Sequence, residues 1–232
     1  MLKMLFATLT TAIMLVGCTG AVTPTPIPPT PTPTPDELLD RAAQAVSAMT
    51  SAQFSLTREG ASAVLDPSTH TIFTEATGQY QAPNRVSASV KVSAGETVFQ
   101  LEMRWLPEGN YITNPLTQTW TKMPPDFKFN GAAVFGPEGM ASVLKDGIEN
   151  VTLVGAETVE DQEAYHLKGE AAGDKVAPIT AGLLSAEASY PVEVWMETSL
   201  SNVVRVHIAE PDGSGWVIDL FDINRPVDIK AP

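Results

Sequence analysis

The sequence predicts an α+β fold built on one large antiparallel sheet. Apolar and polar residues alternate with period two over many short segments, and helical spacing of apolar residues occurs in only three places. The chain also lacks the regular strand, helix, strand order of parallel α/β proteins. This pattern is typical of antiparallel strands that have one buried face and one solvated face.

The first folded element is predicted to be a helix over Asp36–Met49. Asp36 follows the last proline of a Pro-rich segment, where a helix N-cap is expected. Beyond the helix the pattern changes to period two, which predicts a strand around Phe54. The apolar residues of these two elements are Leu39, Ala42, Ala43, Val46 and Met49, then Ala52, Phe54 and Leu56.

A β-hairpin has the clearest strand pattern in the chain. Two alternating segments are separated by Ser93-Ala94-Gly95, a short connection that favours antiparallel pairing. Their apolar residues are expected to share one face of the sheet. These residues are Val86, Ala88, Val90 and Val92, followed by Phe99, Leu101, Met103 and Trp105.

The rest of the chain adds shorter elements, for a total of nine to eleven strands and three helices. A helix is predicted over Pro137–Lys145, and an apolar helix or turn over Val176–Leu184. Further strands are predicted at Asn110–Thr113, around Trp120, at Val151–Ala156, at Ala164–Gly169, and around Val194, Val206 and Leu220.

Residues 1–17 have the layout of a secretory signal peptide, with Lys3 followed by an apolar stretch that is broken only by threonines. The stretch ends in Leu15-Val16-Gly17-Cys18, which resembles the lipobox of bacterial lipoproteins. That resemblance implies cleavage before Cys18 and lipidation of its thiol. Two or three acyl chains on one residue anchor a protein stably to a membrane.

Residues 18–35 are predicted to form a tether between Cys18 and a single domain at residues 36–232. Seven prolines alternate mainly with threonines from Thr23 to Pro35, which excludes helix and sheet and favours extended polyproline II. The threonines are candidate sites for glycans.

Charge and cysteine content exclude several classes of protein. The chain has 27 acidic and 14 basic residues, a net charge of −13, so a nucleic-acid partner is not expected. Loss of Lys3 with the signal peptide leaves 13 basic residues and a net charge of −14. The one cysteine, Cys18, allows neither a disulfide within the chain nor a cysteine-based zinc site.

Motifs for catalysis are not found, so neither an enzyme nor a cofactor is expected. The three histidines, His70, His166 and His207, lie far apart in the sequence. His166 and His207 occupy polar positions of strands, which predicts solvated side chains. The acidic segment Glu157–Glu163 is interpreted as a solvated turn.

The predicted sheet has more apolar surface than three short helices can cover. Two outcomes are open: the sheet curls and fills its own core, or it curls around a cavity. A cavity lined by Val, Leu and Met would accept acyl chains, because it offers nothing to a polar ligand.

Several segments resemble the LppX/LprG group of bacterial lipoproteins. They are Tyr111–Pro124, Gly139–Leu144, Glu149–Val159, Ala164–Gly169 and the C-terminal Phe221–Pro232. The resemblance implies a LolA-like half-barrel, a strongly curved antiparallel sheet with helices across its open side and a hydrophobic cavity inside. It also implies a non-catalytic carrier that binds acylated lipids or glycolipids in the cell envelope.

Candidate lipid-binding residues follow from strand parity and helix faces. They are Val86, Ala88, Val90, Phe99, Leu101 and Met103 on the hairpin, and Val143, Leu144, Ile179, Leu183 and Leu184 on the covering helices. The expected protein is a monomer on the extracytoplasmic face of the membrane, held there by lipidated Cys18. Two alternatives stay open: a sensing or docking module of the same fold, and a glycan-binding module that uses Trp105, Trp120, Trp195 and Trp216.

Overall fold

Twelve antiparallel strands form one curved sheet in the computed structural model of the chain. The structure describes residues 33–66, 70–124, 127, 130–180 and 183–232, which belong to the compact unit Pro33–Pro232. The predicted signal peptide, Cys18 and nearly all of the predicted tether lie outside the described residues. The strands are β1 Ser51–Glu59, β2 Ala63–Asp66, β3 Thr71–Gln81, β4 Arg85–Ala94, β5 Thr97–Leu106, β6 Gly109–Thr113, β7 Trp120–Lys122, β8 Ile148–Val159, β9 Gln162–Ala172, β10 Ser189–Glu197, β11 Val203–Ala209 and β12 Gly215–Phe221.

The sheet is open and runs in the order β7-β6-β5-β4-β3-β1-β12-β11-β10-β9-β8, with β2 paired to β3 alone. Register irregularities occur at Phe73/Glu75 in β3, at Trp195/Met196 in β10 and twice in β8. Bulges of this kind bend a strand and increase its twist. They account for part of the curvature of a sheet whose side chains on the concave face form the core.

Five short helical elements lie within the residues that the structure describes. They are α1 Pro35–Ala48, a 3₁₀ helix at Gly131–Phe135, α2 Met140–Ser142 with the π turn Val143–Gly147 directly after it, and α3 Gly173–Val176. None of the described helices is long and apolar enough to cross a membrane.

The helices cover the two halves of the concave face unequally. Helix α1 contacts β8 and β11, the π turn contacts β8 and β9, and α3 contacts β9. Over the other half, β3 to β5 with β1, the 3₁₀ helix contacts β4. The half with the thinner cover is therefore where space between the sheet and its cover is expected.

The predicted α+β class and single antiparallel sheet are confirmed, and several details differ. The N-cap of α1 is Thr34, not Asp36, because the Thr34 hydroxyl accepts from the Glu37 N–H and Pro35 takes the first helical position. Strands β2 and β3 were not predicted, since Thr71–Gln81 mixes glycine, threonine and glutamate without clean alternation. The described part of the chain accordingly has twelve strands.

The predicted helix over Pro137–Lys145 is shorter than expected. Its first residues form a turn in which the Gly139 N–H donates to the Gly136 carbonyl at 2.9 Å, so the helix begins only at Met140. The predicted helix or turn over Val176–Leu184 proves to be the end of α3 and hydrogen-bonded turns up to Thr180. Residues 181–182 lie outside the described residues.

Candidate functional site

Small side chains line the middle of the concave face in the thinly covered half. Ala76 of β3 pairs with Val90 of β4, and Gly78 pairs with Ala88. The flanking row contains Tyr80, Val86 and Trp105, which are large or branched. Since glycine and alanine project little above the sheet, the strands leave a trough between larger neighbours.

Two phenylalanines fill most of this trough. A Cβ added to Gly78 would lie 2.5 Å from the Phe54 ring, so Phe54 crosses the sheet where glycine leaves room. Phe135 of the 3₁₀ helix stacks on Tyr80, with ring centroids 4.4 Å apart and an angle of 15° between the rings. Its centroid is also 5.6 Å from that of Phe54. Stacked and tilted aromatic contacts of this kind add modestly to the energy of burial.

The space that remains is a cavity of about 30 Å³ with an almost entirely apolar lining. It has room for a water molecule or two, which is far below the roughly 300–1,000 Å³ of typical ligand pockets. The lining residues are Phe54, Leu56, Ala76, Val86, Ala88, Val90, Trp105, Gly131, Val134, Phe135, Ile179 and Ile218.

The 3₁₀ helix Gly131–Phe135 covers the cavity and packs directly on Trp105, one of the lining residues. A Cβ on Gly131 would lie 2.7 Å from the Trp105 ring, so glycine is what allows the 3₁₀ helix to sit this close. The Asn130 side chain caps the helix by accepting from the Ala132 N–H at 3.1 Å. Val134 and Phe135 then point into the trough as lining residues. Displacement of this one short helix would therefore enlarge the cavity.

Tyr80 supplies a polar group at the margin of the trough. Burial raises the pKa of its hydroxyl, so the group stays neutral at ordinary pH. The hydroxyl donates to the Pro83 carbonyl at 3.4 Å, away from the apolar lining. The chemistry available to a bound molecule is thus apolar contact.

The structure brings some of the predicted lipid-binding residues together and separates others. Val86, Ala88, Val90 and Ile179 line the cavity. Met103, Phe99 and Leu101 belong to the same hydrophobic core on the neighbouring strand, without lining the cavity described. Val143, Leu144 and Leu184 are buried, the first two in the π turn that contacts α1, whereas Leu183 is 36% exposed and lies at the surface.

Sequence reasoning missed the residues that shape the trough and its cover. Ala76 and Gly78 lie on the unpredicted strand β3, and Val134 and Phe135 lie on an unpredicted 3₁₀ helix. The signal available was the apolar run from Ala132 to Phe135, which follows a turn and has no strand partner in the sequence.

His166 lies on the convex face, and the prediction that its side chain is solvated is wrong. Its side chain is on the polar side of β9, as its position predicted, yet the residue is only 8% exposed. Trp195, its partner on β10, stacks on the imidazole with centroids 4.3 Å apart, and Glu157 and Glu193 lie at its two ring nitrogens. Parity assigns a side chain to a face, but neighbours on adjacent strands decide its exposure.

The four tryptophans proposed as a glycan platform are divided by the fold. Trp105 and Trp216 are each 1% exposed and belong to the core, so they cannot contact a surface ligand. Trp120 is covered by the Arg104 guanidinium, 4.6 Å from its ring centroid. Trp195 alone of the four lines a depression on the convex face. Among the described residues no group of three or more His, Cys, Asp or Glu side chains is arranged to hold a metal ion.

An open, curved antiparallel sheet with an apolar cavity under a thin helical cover defines the structural class of this chain. The model of the LppX_LprAFG lipoprotein family matches residues 34–229, and the chain belongs to that family. No curated protein matches the chain significantly.

Two of the solved structures that are similar to this fold come from mycobacteria. LprF from Mycobacterium bovis superposes with a TM-score of 0.70 at 18% identity, over 86% of this chain and 99% of that one. The lipoprotein LppX from Mycobacterium tuberculosis superposes with a TM-score of 0.59 at 16% identity, over 83% of this chain and 98% of that one. At these identities the likeness establishes the fold.

Proposed function

We propose that this protein is a membrane-anchored extracytoplasmic lipoprotein that binds an acyl lipid or glycolipid in the concave-face cavity and carries it within the cell envelope. The main support for this proposal is the lining of the cavity, which consists of apolar residues. A polar ligand placed there would lose its hydrogen bonds to water without replacement, whereas an acyl chain loses none. Membership of a lipoprotein family agrees with this proposal.

Binding of an acyl chain requires the cavity to grow, and the 3₁₀ helix is the part that yields. Val134 and Phe135 occupy the trough where a chain would lie. The helix has five residues and contacts the sheet through β4. Its withdrawal would replace one set of apolar contacts with another, which keeps the free-energy difference between the covered and the loaded form small.

The anchoring part of the proposal depends on Cys18. Cleavage of residues 1–17 and lipidation of Cys18 would leave residues 18–35 as a tether for the domain at 36–232. The acidic domain would not be attracted to anionic lipid headgroups, so the acyl chains supply the attachment. The proposed protein acts as a monomer, without catalysis and without a nucleic-acid partner.

Lipid occupancy tests the binding proposal directly. Protein purified without detergent from its native envelope should release an acyl lipid on solvent extraction, detectable by mass spectrometry. Val90→Trp and Leu101→Trp should lower occupancy, the first by adding bulk to the cavity wall and the second by crowding the core beside it. Ser89→Trp, on the opposite face of the same strand, is the matched control and should leave occupancy unchanged.

Phe135→Ala changes the cavity in the opposite direction. Removal of the ring widens the trough, so palmitate should raise the melting temperature of this variant more than that of the unaltered chain. Two outcomes would identify the site as ordinary packed core. One is an equal shift of the melting temperature by palmitate in both proteins. The other is a purified unaltered protein without lipid together with a Val90→Trp variant that does not fold.

A further inference from the structure

The convex face carries a second depression, of about 320 Å³, on the opposite side of the sheet from the cavity. The same strands serve both sites, because Leu56 and Ile218 face the cavity while their neighbours Thr57 and Val217 face the depression. A volume of this size is at the lower end of the range for small-molecule sites.

Trp195 lines one side of the depression. His166 stacks on its indole ring from the β9 side, with an angle of 16° between the two planes. On the other side, β11 places Arg205 opposite Trp195, and the depression opens there. Trp195 and Arg205 therefore line the depression side by side.

The indole is held firmly in this position. Its Nε1 donates to Glu157, and the stacked His166 is itself fixed by Glu193, with 2.6 Å between Nε2 and the carboxylate. An aromatic side chain that is already fixed loses little conformational entropy when a ligand stacks on it.

The polar groups around the depression are already paired with one another. Arg205 contacts Asp219 at 2.5 Å and Glu160 at 3.3 Å, and His207 lies 3.9 Å from Glu59. A charged ligand would have to compete with these partners. A neutral hydroxyl, in contrast, donates to a carboxylate and accepts from a guanidinium without breaking an ion pair.

We propose that this depression binds a neutral sugar ring of a glycan, independently of the lipid cavity. A pyranose has an apolar C–H face and a rim of hydroxyls. The C–H face matches the indole of Trp195, whose π surface is electron-rich, and the apolar side chain of Val217. The hydroxyl rim matches Arg205, His207, Asp219 and Glu59.

The test is a titration of the protein with neutral tetrasaccharides of mannose, galactose, glucose and N-acetylglucosamine. Binding is measured by tryptophan fluorescence and by NMR. At least one should bind with a dissociation constant of about 1 mM or below. Trp195→Ala should weaken that binding at least tenfold and Trp195→Phe should weaken it less. Trp120→Phe is the control and should leave it unchanged.

Two further variants keep the test decisive. Glu59→Gln alters an exposed side chain of the rim, so this variant should stay folded. It therefore tests the site even if Trp195→Ala destabilises the domain by uncovering His166. It should weaken binding about threefold to tenfold. Val90→Trp should leave saccharide binding intact, which separates this site from the cavity. Absence of binding by all four saccharides up to about 10 mM, or binding of tetramethylammonium in their place, would overturn the proposal.

Discussion

Glu193 lies on the convex face between a lysine and a buried histidine. Lys168 Nζ is 3.1 Å from one carboxylate oxygen and His166 Nε2 is 2.6 Å from the other. Burial raises the pKa of Glu193, but hydrogen bonds from Lys168 and His166 and their charges outweigh it, so the pKa falls below its ordinary value of 4.5. The ionised carboxylate is therefore the form that the fold favours.

This lowered pKa predicts a loss of stability in acid. Because the pKa of Glu193 is lower in the folded than in the unfolded chain, its stabilising contribution is present above pH 4.5 and is lost as the pH falls through the folded-state pKa. The melting temperature of the unaltered domain should fall over that interval. Glu193→Gln should show a shallower fall, whereas Glu96→Gln, at an exposed hairpin turn, should follow the unaltered protein.

At the scale of the element, α1 begins with a capping box. The Thr34 hydroxyl accepts from the Glu37 N–H at 3.3 Å, and the Glu37 carboxylate accepts from the Thr34 N–H at 2.9 Å. Thr34→Ala should lower the free energy of unfolding by about 1 kcal/mol in chemical denaturation, since one N–H of the first turn loses its partner. Thr34→Ser keeps the oxygen and should cost less than half as much.

The C-terminal segment 224–230 forms a strap across the ends of four strands. The Ile229 N–H donates to Gln81 at 3.0 Å, and the Ile229 carbonyl accepts from Arg85 at 3.1 Å. Arg104 donates to the Lys230 carbonyl at 2.7 Å, and Thr50 and Ser51 bond to Asn224 and Arg225 at the start of the segment. The strap thus holds β1, β3, β4 and β5, four of the strands that line the cavity.

Ile229 is the apolar anchor of this strap. Its side chain is buried, so Ile229→Ala should cost about 2–3 kcal/mol in chemical denaturation. Lys230→Ala preserves the carbonyl that Arg104 uses and removes an exposed side chain, so it should cost less than about 0.5 kcal/mol. Equal costs for the two variants would show that the strap contributes no packing.

At the scale of the whole molecule, the two halves of the sheet should differ in local stability. Helix α1, α2 and the π turn pack on one another over β8 to β11, whereas the 3₁₀ helix contacts β4 and the short helix α2. Hydrogen exchange should therefore be faster for Gly131–Phe135 than for the middle of α1. Addition of palmitate should change exchange in the 3₁₀ helix and in β3 and β4, and should leave β8 to β10 unchanged. A uniform change across the sheet would contradict a cavity confined to one half.

The period-two segments of the sequence determined much of this architecture. The alternation from Val86 to Trp105 predicted both strands of the β4–β5 hairpin and the correct inward face, because alternation is a local property of a pleated strand. The spacing of Leu39 to Met49 predicted α1 for the same kind of reason. Residues 1–18 predicted secretion and lipidation, which stays a prediction because those residues lie outside the described part.

Only the tertiary structure decided where the cavity lies and what encloses it. Ala76, Gly78 and Ala88 form a trough because the two neighbouring strands β3 and β4 bring them side by side, and Phe135 closes it from a helix more than 40 residues away in the chain. His166 is buried because β10 happens to place Trp195 beside it. Such features depend on register between strands and on packing between distant segments, which no local pattern in a sequence contains.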